Sequence, residues 1–73
     1  MSTVRKLNES ALRGIYDAYM HEAFPPAELK PLAVMLRLME RGRYLCYGYY
    51  RNGRLAAYAF FYRHDSRVLL LDY

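Results

Sequence analysis

The sequence is poor in the residues that staple short chains: one cysteine, two histidines and no tryptophan among 73 residues. A lone Cys46 excludes a disulfide framework, and His21 and His64 stand too far apart to suggest a metal-ligand cluster. Long apolar runs are also missing. Nothing approaches the roughly 18 consecutive apolar residues of a membrane span, and Asn8 and Glu9 interrupt the start before a signal peptide's apolar segment could form. No tandem repeat, low-complexity tract or linker divides the chain. The expectation is one cytoplasmic, soluble unit without membrane contact. A chain this short buries only roughly 60% of the surface its unfolded form exposes. With disulfides and metals excluded, the remaining sources of stability are association or the rest of a larger fold.

What is present is apolar and aromatic: 55% hydrophobic residues, with nine tyrosines. That is too apolar for disorder and demands packing. Acidic residues are outnumbered, seven against eleven basic ones, giving a net charge of +4. Such a balance favours an anionic partner, a phosphate-bearing cofactor or nucleic acid. Scattered surface arginines account for the same number equally well.

Periodicity divides the chain into six elements. Val4 to Leu7 alternates as a short edge strand. Asn8 is a good helix N-cap, Glu9 sits where the helix dipole favours a carboxylate, and Leu7 and Leu12 are spaced as a hydrophobic staple. Leu12, Ile15, Tyr16 and Tyr19 recur at helical spacing, which predicts a first helix to about Glu22. Gly14 within it is expected where another element approaches closely. Pro25 and Pro26 then end helical geometry, so Ala23 to Pro31 reads as a stiff loop. Pro31 suits the first position of a second helix, with Leu32, Met35, Leu36 and Met39 on one face and a stop at Gly42.

The pair Asn52-Gly53, between two β-rich aromatic runs, predicts a type I′ hairpin. With Arg51 opposite Arg54, an uninterrupted register pairs Tyr50 with Leu55, Gly48 with Ala57, Cys46 with Ala59 and Tyr44 with Phe61 on one face. Tyr49 with Ala56, Tyr47 with Tyr58 and Leu45 with Phe60 fall on the other. Both faces are apolar, as in a sheet covered on both sides. His64, Asp65 and Ser66 make a polar connection to a last strand, Val68 to Leu71.

The order strand, helix, helix, strand, strand, strand, and the stretches VRKLNESALRGIYDAYMHEAF, FPPAELKPLAVMLRLMERGRY, YGYYRNGRLAAYAFFY and VLLLDY, together resemble the N-terminal half of a GNAT-type N-acetyltransferase. The resemblance spans essentially the whole chain and rests on element order more than on invariant residues. It implies an α+β fold, an antiparallel sheet of about four strands with two helices on one face, and transfer of an acetyl group from acetyl-CoA to a small-molecule or peptide amine. In that family the fourth strand leads into a glycine-rich turn, R/Q-x-x-G-x-G/A, whose backbone N–H groups cradle the acetyl-CoA pyrophosphate. The sequence stops at Tyr73 before such a turn, and Gly14, Gly42, Gly48 and Gly53 are isolated. The resemblance therefore implies a fragment, inactive alone, that self-associates or pairs with a C-terminal half.

By the same resemblance the backbone of Leu71, Asp72 and Tyr73 meets the acetyl end of acetyl-CoA, with Asp72 and Tyr73 as catalytic candidates. Asp72 could serve as base for the acceptor amine if burial raised its pKa; a strand-end carboxylate held by backbone donors is the plainer reading. Tyr19, Glu22, Phe24 and Glu28 would wall the acceptor side, the carboxylates suiting a cationic amine, although Tyr19 and Phe24 also read as core. Tyr47, Tyr49 and Tyr58 would line a pocket on one hairpin face or simply pack. Cys46, without an adjacent histidine, reads as a small buried residue. Two rivals stand beside this reading: a basic tyrosine-rich sheet that binds single-stranded nucleic acid, and a non-catalytic fragment that self-associates through its uncovered face. Aromatics on both faces and the lack of an RNP-like motif count against the first.

Overall fold

Asn8 caps the first helix in the computed structural model, which describes residues 1–73. Its backbone is extended and its side-chain oxygen accepts the Ala11 amide at 2.9 Å, satisfying a donor that every helix start leaves free. The helical rod runs as α1 (Glu9–Ile15), a π-helical turn (Tyr16–Met20) and a final turn α2 (His21–Ala23). In the π turn the His21 amide reaches back five residues to the Tyr16 carbonyl, so one extra residue is wound in. The buried face rotates in consequence. Leu12, Ile15 and Tyr16 are buried as helical spacing predicts, but Met20 follows them into the core and Tyr19 is turned out, 50% exposed. Gly14 also departs from expectation: it is exposed, and a Cβ built there meets nothing within 4 Å.

Phe24 leaves helical geometry ahead of Pro25, and the loop runs to Pro31. Pro31 caps α3 (Leu32–Glu40) one position earlier than expected, because its carbonyl already receives the Val34 and Met35 amides while its own ψ stays extended. Gly42 adopts φ +71°, and the Gly42 and Arg43 amides return to the Met39 and Leu38 carbonyls at 3.0 and 2.8 Å. This is the Schellman closure that the glycine makes possible.

The strands β1 (Ser2–Lys6), β2 (Tyr44–Arg51), β3 (Arg54–Arg63) and β4 (Leu69–Leu71) form one antiparallel meander in the order β1-β2-β3-β4. β1 begins and ends earlier than Val4 to Leu7, since Ser2 pairs with Arg51 and Leu7 turns into the core with its amide on the Cys46 carbonyl at 2.7 Å. The hairpin turn is as predicted, with φ 53° at Asn52 and 80° at Gly53.

Beyond Tyr50 and Leu55 the register differs from the uninterrupted ladder. Tyr49 faces Ala57, which leaves Ala56 unpaired in a β-bulge, and every later partner moves by one residue. Gly48 thus opposes Tyr58, Cys46 opposes Phe60 and Tyr44 opposes Tyr62. A slip of one residue exchanges the two faces of a strand. Tyr58, Phe60 and Tyr62 therefore face the helices, so the Tyr58 ring lies on the opposite side from those of Tyr47 and Tyr49, although all three residues border one open pocket. Gly48 is the close approach that Gly14 was expected to be: a Cβ there would stand 2.9 Å from Tyr50 Cε1 and 3.1 Å from both Leu55 Cδ1 and Leu7 Cδ2.

Helices and sheet make two layers. Leu12, Met20, Met35, Tyr44, Cys46 and Phe60 fill the space between them, each no more than 2% exposed. Leu32, Leu36 and Met39 pack around that centre as the α3 pattern predicts. No element covers the opposite face of the sheet.

Candidate functional site at the end of the fourth strand

Leu69, Leu70 and Leu71 pair regularly with Arg63, Tyr62 and Phe61. Then the ladder breaks. The amides of Asp72 and Tyr73 both donate to the Phe60 carbonyl, at 2.7 and 3.2 Å, and the Phe60 amide donates to the Tyr73 carbonyl at 2.9 Å. Two residues oppose one, a second β-bulge, and its effect is to re-aim a side chain. Regular alternation would carry Tyr73 to the uncovered face opposite Ala59. Instead its ring lies on the helix side, edge-on to Phe24 at 5.0 Å and to Phe60 at 6.4 Å.

Asp72 on the same side meets the proline loop. Lys30 Nζ donates to Asp72 Oδ2 at 2.7 Å, and the Tyr44 hydroxyl donates to the same oxygen at 2.5 Å. The Lys30 ammonium also stands 5.0 Å from the centre of the Tyr44 ring, an attractive cation–π position. The Lys30 amide donates to the Tyr73 hydroxyl at 2.6 Å, that hydroxyl donates to the Glu28 carbonyl at 2.8 Å, and the Tyr16 hydroxyl donates to the Lys30 carbonyl at 3.0 Å. Phenols therefore hold both backbone groups of Lys30, and a carboxylate holds its side chain. The loop is clasped to the sheet at that residue.

Electrostatics sort the members of this cluster. Burial, then the hydrogen bond and charge of Asp72, push the Tyr44 phenol far above its usual range, so it remains a donor. Burial first and Asp72 second push the Cys46 thiol up to about 12. A thiol so placed is protonated at neutral pH and unreactive, in keeping with its reading as a small buried residue. Asp72 is not deeply buried: its side chain is 28% exposed and that of Lys30 26%. Its second oxygen, Oδ1, accepts from no protein group, whereas Oδ2 has two donors.

The sequence-predicted candidates fall into three places. Asp72 and Tyr73 join the clasp, along with Phe24 and the Glu28 carbonyl; the Glu28 residue itself is exposed. Tyr19 and Glu22 line a separate open groove of about 560 Å³, where the first helical rod meets Leu55 and Tyr58 of β3. Leu71 is 69% exposed on the outer strand. Since the Asp72 N–H points across the ladder to the Phe60 carbonyl, alternation turns the Leu71 N–H away from β3 toward the free edge. Of the three expected backbone donors, only Leu71 is thereby open to a ligand; those of Asp72 and Tyr73 are engaged by Phe60.

Lys30, Tyr44 and Tyr16 escaped sequence reasoning. The available signal was weak: Lys30 is the one cation of a proline-stiffened loop, and a stiff loop presents its side chains in fixed directions. No group of three or more metal-ligating side chains occurs, and no helix is long and apolar enough to cross a membrane. No protein-family model, curated protein or solved structure matches the chain. The class is defined by architecture: an α+β domain with a four-stranded antiparallel meander and its helices on one face.

Proposed function

We propose that the chain forms the N-terminal half of a GNAT-type N-acetyltransferase, which moves an acetyl group from acetyl-CoA to an amine. The observation that carries this reading is the element order, strand, helix, helix and three meandering strands with both helices on one face, which is the arrangement the resemblance implies. The end of β4 supports it chemically. An acyl carbonyl brought to the free edge would find the Leu71 N–H as its donor. Asp72 Oδ1 is free to accept a proton from an acceptor amine or an intervening water, while Lys30 and Tyr44 hold the carboxylate in place through Oδ2. Tyr73, bound at both sides of its hydroxyl, positions the loop and strand end. The separate groove of Tyr19 and Glu22 offers a ring and a carboxylate together, suited to a cationic part of the acceptor away from its reacting nitrogen.

In the transfer the amine nitrogen bonds to the thioester carbon, the C–S bond breaks, and the thiolate takes up a proton as the amine loses one. Residues 1–73 supply the acyl and amine sides of such a site; a phosphate-cradling turn would come from a C-terminal half. The same reading assigns the chain to the cytoplasm, where a lone thiol stays reduced. The test is the coding sequence downstream of Tyr73. An in-frame glycine-rich R/Q-x-x-G-x-G/A segment opening a helix is expected, and the chain so extended should release thiol from acetyl-CoA when an amine is supplied. A stop codon, or an extension lacking that segment and showing no thiol release, overturns the proposal.

A further inference from the structure

The uncovered face of the sheet is neither polar nor neutral. By register it presents Val4, Tyr47, Tyr49, Ala57, Ala59 and Phe61, which line an open trough of about 420 Å³. Leu69 and Leu71 extend it to the β4 edge, 46% and 69% exposed. An antiparallel sheet facing water alternates apolar and polar residues, and this one does not. Contiguous apolar surface of that kind marks an interaction site.

Charge on this face has one sign. The strands contain no Asp or Glu; their charged residues are Arg5, Lys6, Arg51, Arg54 and Arg63. Arg5 belongs to the helix side, where its guanidinium stands 4.9 Å over the Tyr50 ring. The other four share the open face through their partners: Lys6 opposes Tyr47, Arg51 opposes Arg54, and Arg63 opposes Leu69. Arg51 and Arg54 thus stand at the hairpin end of the trough, Lys6 and Arg63 toward the other.

Shape narrows the occupant. Ala57 and Ala59 form a low floor beside Tyr47 and Tyr49, closed along β3 by Phe61 and open past the strand's edge, where β4 does not reach, room for the apolar stripe of a helix laid across β3. A polynucleotide would need free ring faces, but the Tyr47 ring meets Phe61 edge-on at 6.2 Å, leaving Tyr49 as the exposed ring. A second copy laid face to face would oppose one basic rim to another.

We propose that this face docks an amphipathic helix of a partner polypeptide, with an apolar stripe over Ala57 and Ala59 and flanking carboxylates against Lys6, Arg51, Arg54 and Arg63. The inference stands on this face alone, not on the acetyltransferase reading, which concerns the far end of β4. Two synthetic helical peptides of about 18 residues test it, alike in a Leu/Ala stripe but flanked by Glu in one and Lys in the other. Titrated against the full chain at low salt, the Glu-flanked peptide should bind at least about tenfold tighter, shifting the amides of Val4, Tyr49 and Phe61, with the preference shrinking as salt is raised. The double variant Arg51→Glu/Arg54→Glu should weaken or reverse that preference, and its binding of the Lys-flanked peptide would show that it still folds. Equal affinities, no binding, or shifts confined to the helix side overturn the proposal. So does an oligothymidylate that binds this face in preference to the Glu-flanked peptide, or a dimer of the chain that Tyr49→Asp converts to monomer. Thiol release reads a different feature, so either proposal can fail without the other.

Discussion

Replacing Asp72 by alanine should come close to unfolding the chain. Its carboxylate serves two donors of different worth. The Tyr44 hydroxyl belongs to a residue only 2% exposed, so removing its acceptor strands a buried donor, at a cost of about 1–3 kcal/mol. The Lys30 side chain is 26% exposed and that of its partner 28%, so water replaces much of what is lost, and that pair contributes no more than about 1 kcal/mol. The sum, about 1–4 kcal/mol, is at its upper end comparable to the 3–5 kcal/mol that the core of a domain of this size rarely exceeds. Lys30→Met should be the milder change at about 1 kcal/mol or less, and Tyr44→Phe should fall between the two. Urea unfolding followed by far-UV circular dichroism gives the order, with the slope held common to all variants. A double-mutant cycle of Asp72→Ala with Lys30→Met isolates the ion pair, expected at roughly 0.5–1 kcal/mol. The reasoning is refuted if Asp72→Ala costs less than about 0.5 kcal/mol, or if Lys30→Met costs more than Asp72→Ala.

Two glycines should respond with opposite signs: Gly48→Ala forces a Cβ to 2.9 Å from the Tyr50 ring and should destabilise by about 1–3 kcal/mol, while Gly14→Ala, in open space within α1, should stabilise by about 1 kcal/mol, both read by thermal melting. Tyr73→Phe leaves the Lys30 amide and Glu28 carbonyl without their partner and should cost about 1–2 kcal/mol, with faster hydrogen exchange at the Lys30 amide as its signature. Alkali should unfold the chain. Cys46 and Tyr44 both hold their protons more tightly folded than unfolded, so the stability they contribute is whole below their ordinary values, 9.0 and 10.0, and drains as pH rises beyond them. The loss approaches about 1.4 kcal/mol per pH unit for each group; a flat profile of urea midpoint between pH 8 and 11 would contradict it.

Features governed by a few adjacent residues were legible in the sequence, and those governed by distant partners were not. Asn8, Gly42 and the Asn52-Gly53 turn each act within four residues, through a cap, a left-handed closure and a positive-φ pair, and each is found where expected. The meander order and the buried face of α3 followed from such local punctuation. The π turn did not, since its extra residue shows only as Met20 taking the core position that spacing assigned to Tyr19. Neither bulge is written in composition, because each is chosen by which side chains fit the core once the helices are in place. The clasp joins Tyr16, Lys30, Tyr44 and Asp72, whose bonds span 14 to 42 positions, and no window of sequence contains it.

The two bulges together decide where the polar cluster lies, and this can be tested by removing one residue. In the uninterrupted hairpin register Phe61 would face the helices with Tyr44, and Phe60 would face away. The bulge at Ala56 reverses β3, so Phe60 enters the core, fully buried, and Asp72, its ladder partner, comes to the helix side beside Lys30 and Tyr44. The second bulge then keeps Tyr73 there as well. Deleting Ala56 should restore the plain register and force a choice. Either the hairpin near the turn is strained, or Phe60 and Asp72 are expelled together. Losing Phe60 from the core is comparable to a Phe→Ala change, about 3–5 kcal/mol, and the clasp would be lost with it. The deletion variant should therefore fail to melt cooperatively, while Ala56→Gly, at an unpaired and exposed position, should stay within about 1 kcal/mol of the parent. A deletion variant that folds with Tyr44 still paired to Asp72, seen as an unchanged alkaline transition, would show that the register is held by something other than the Ala56 bulge.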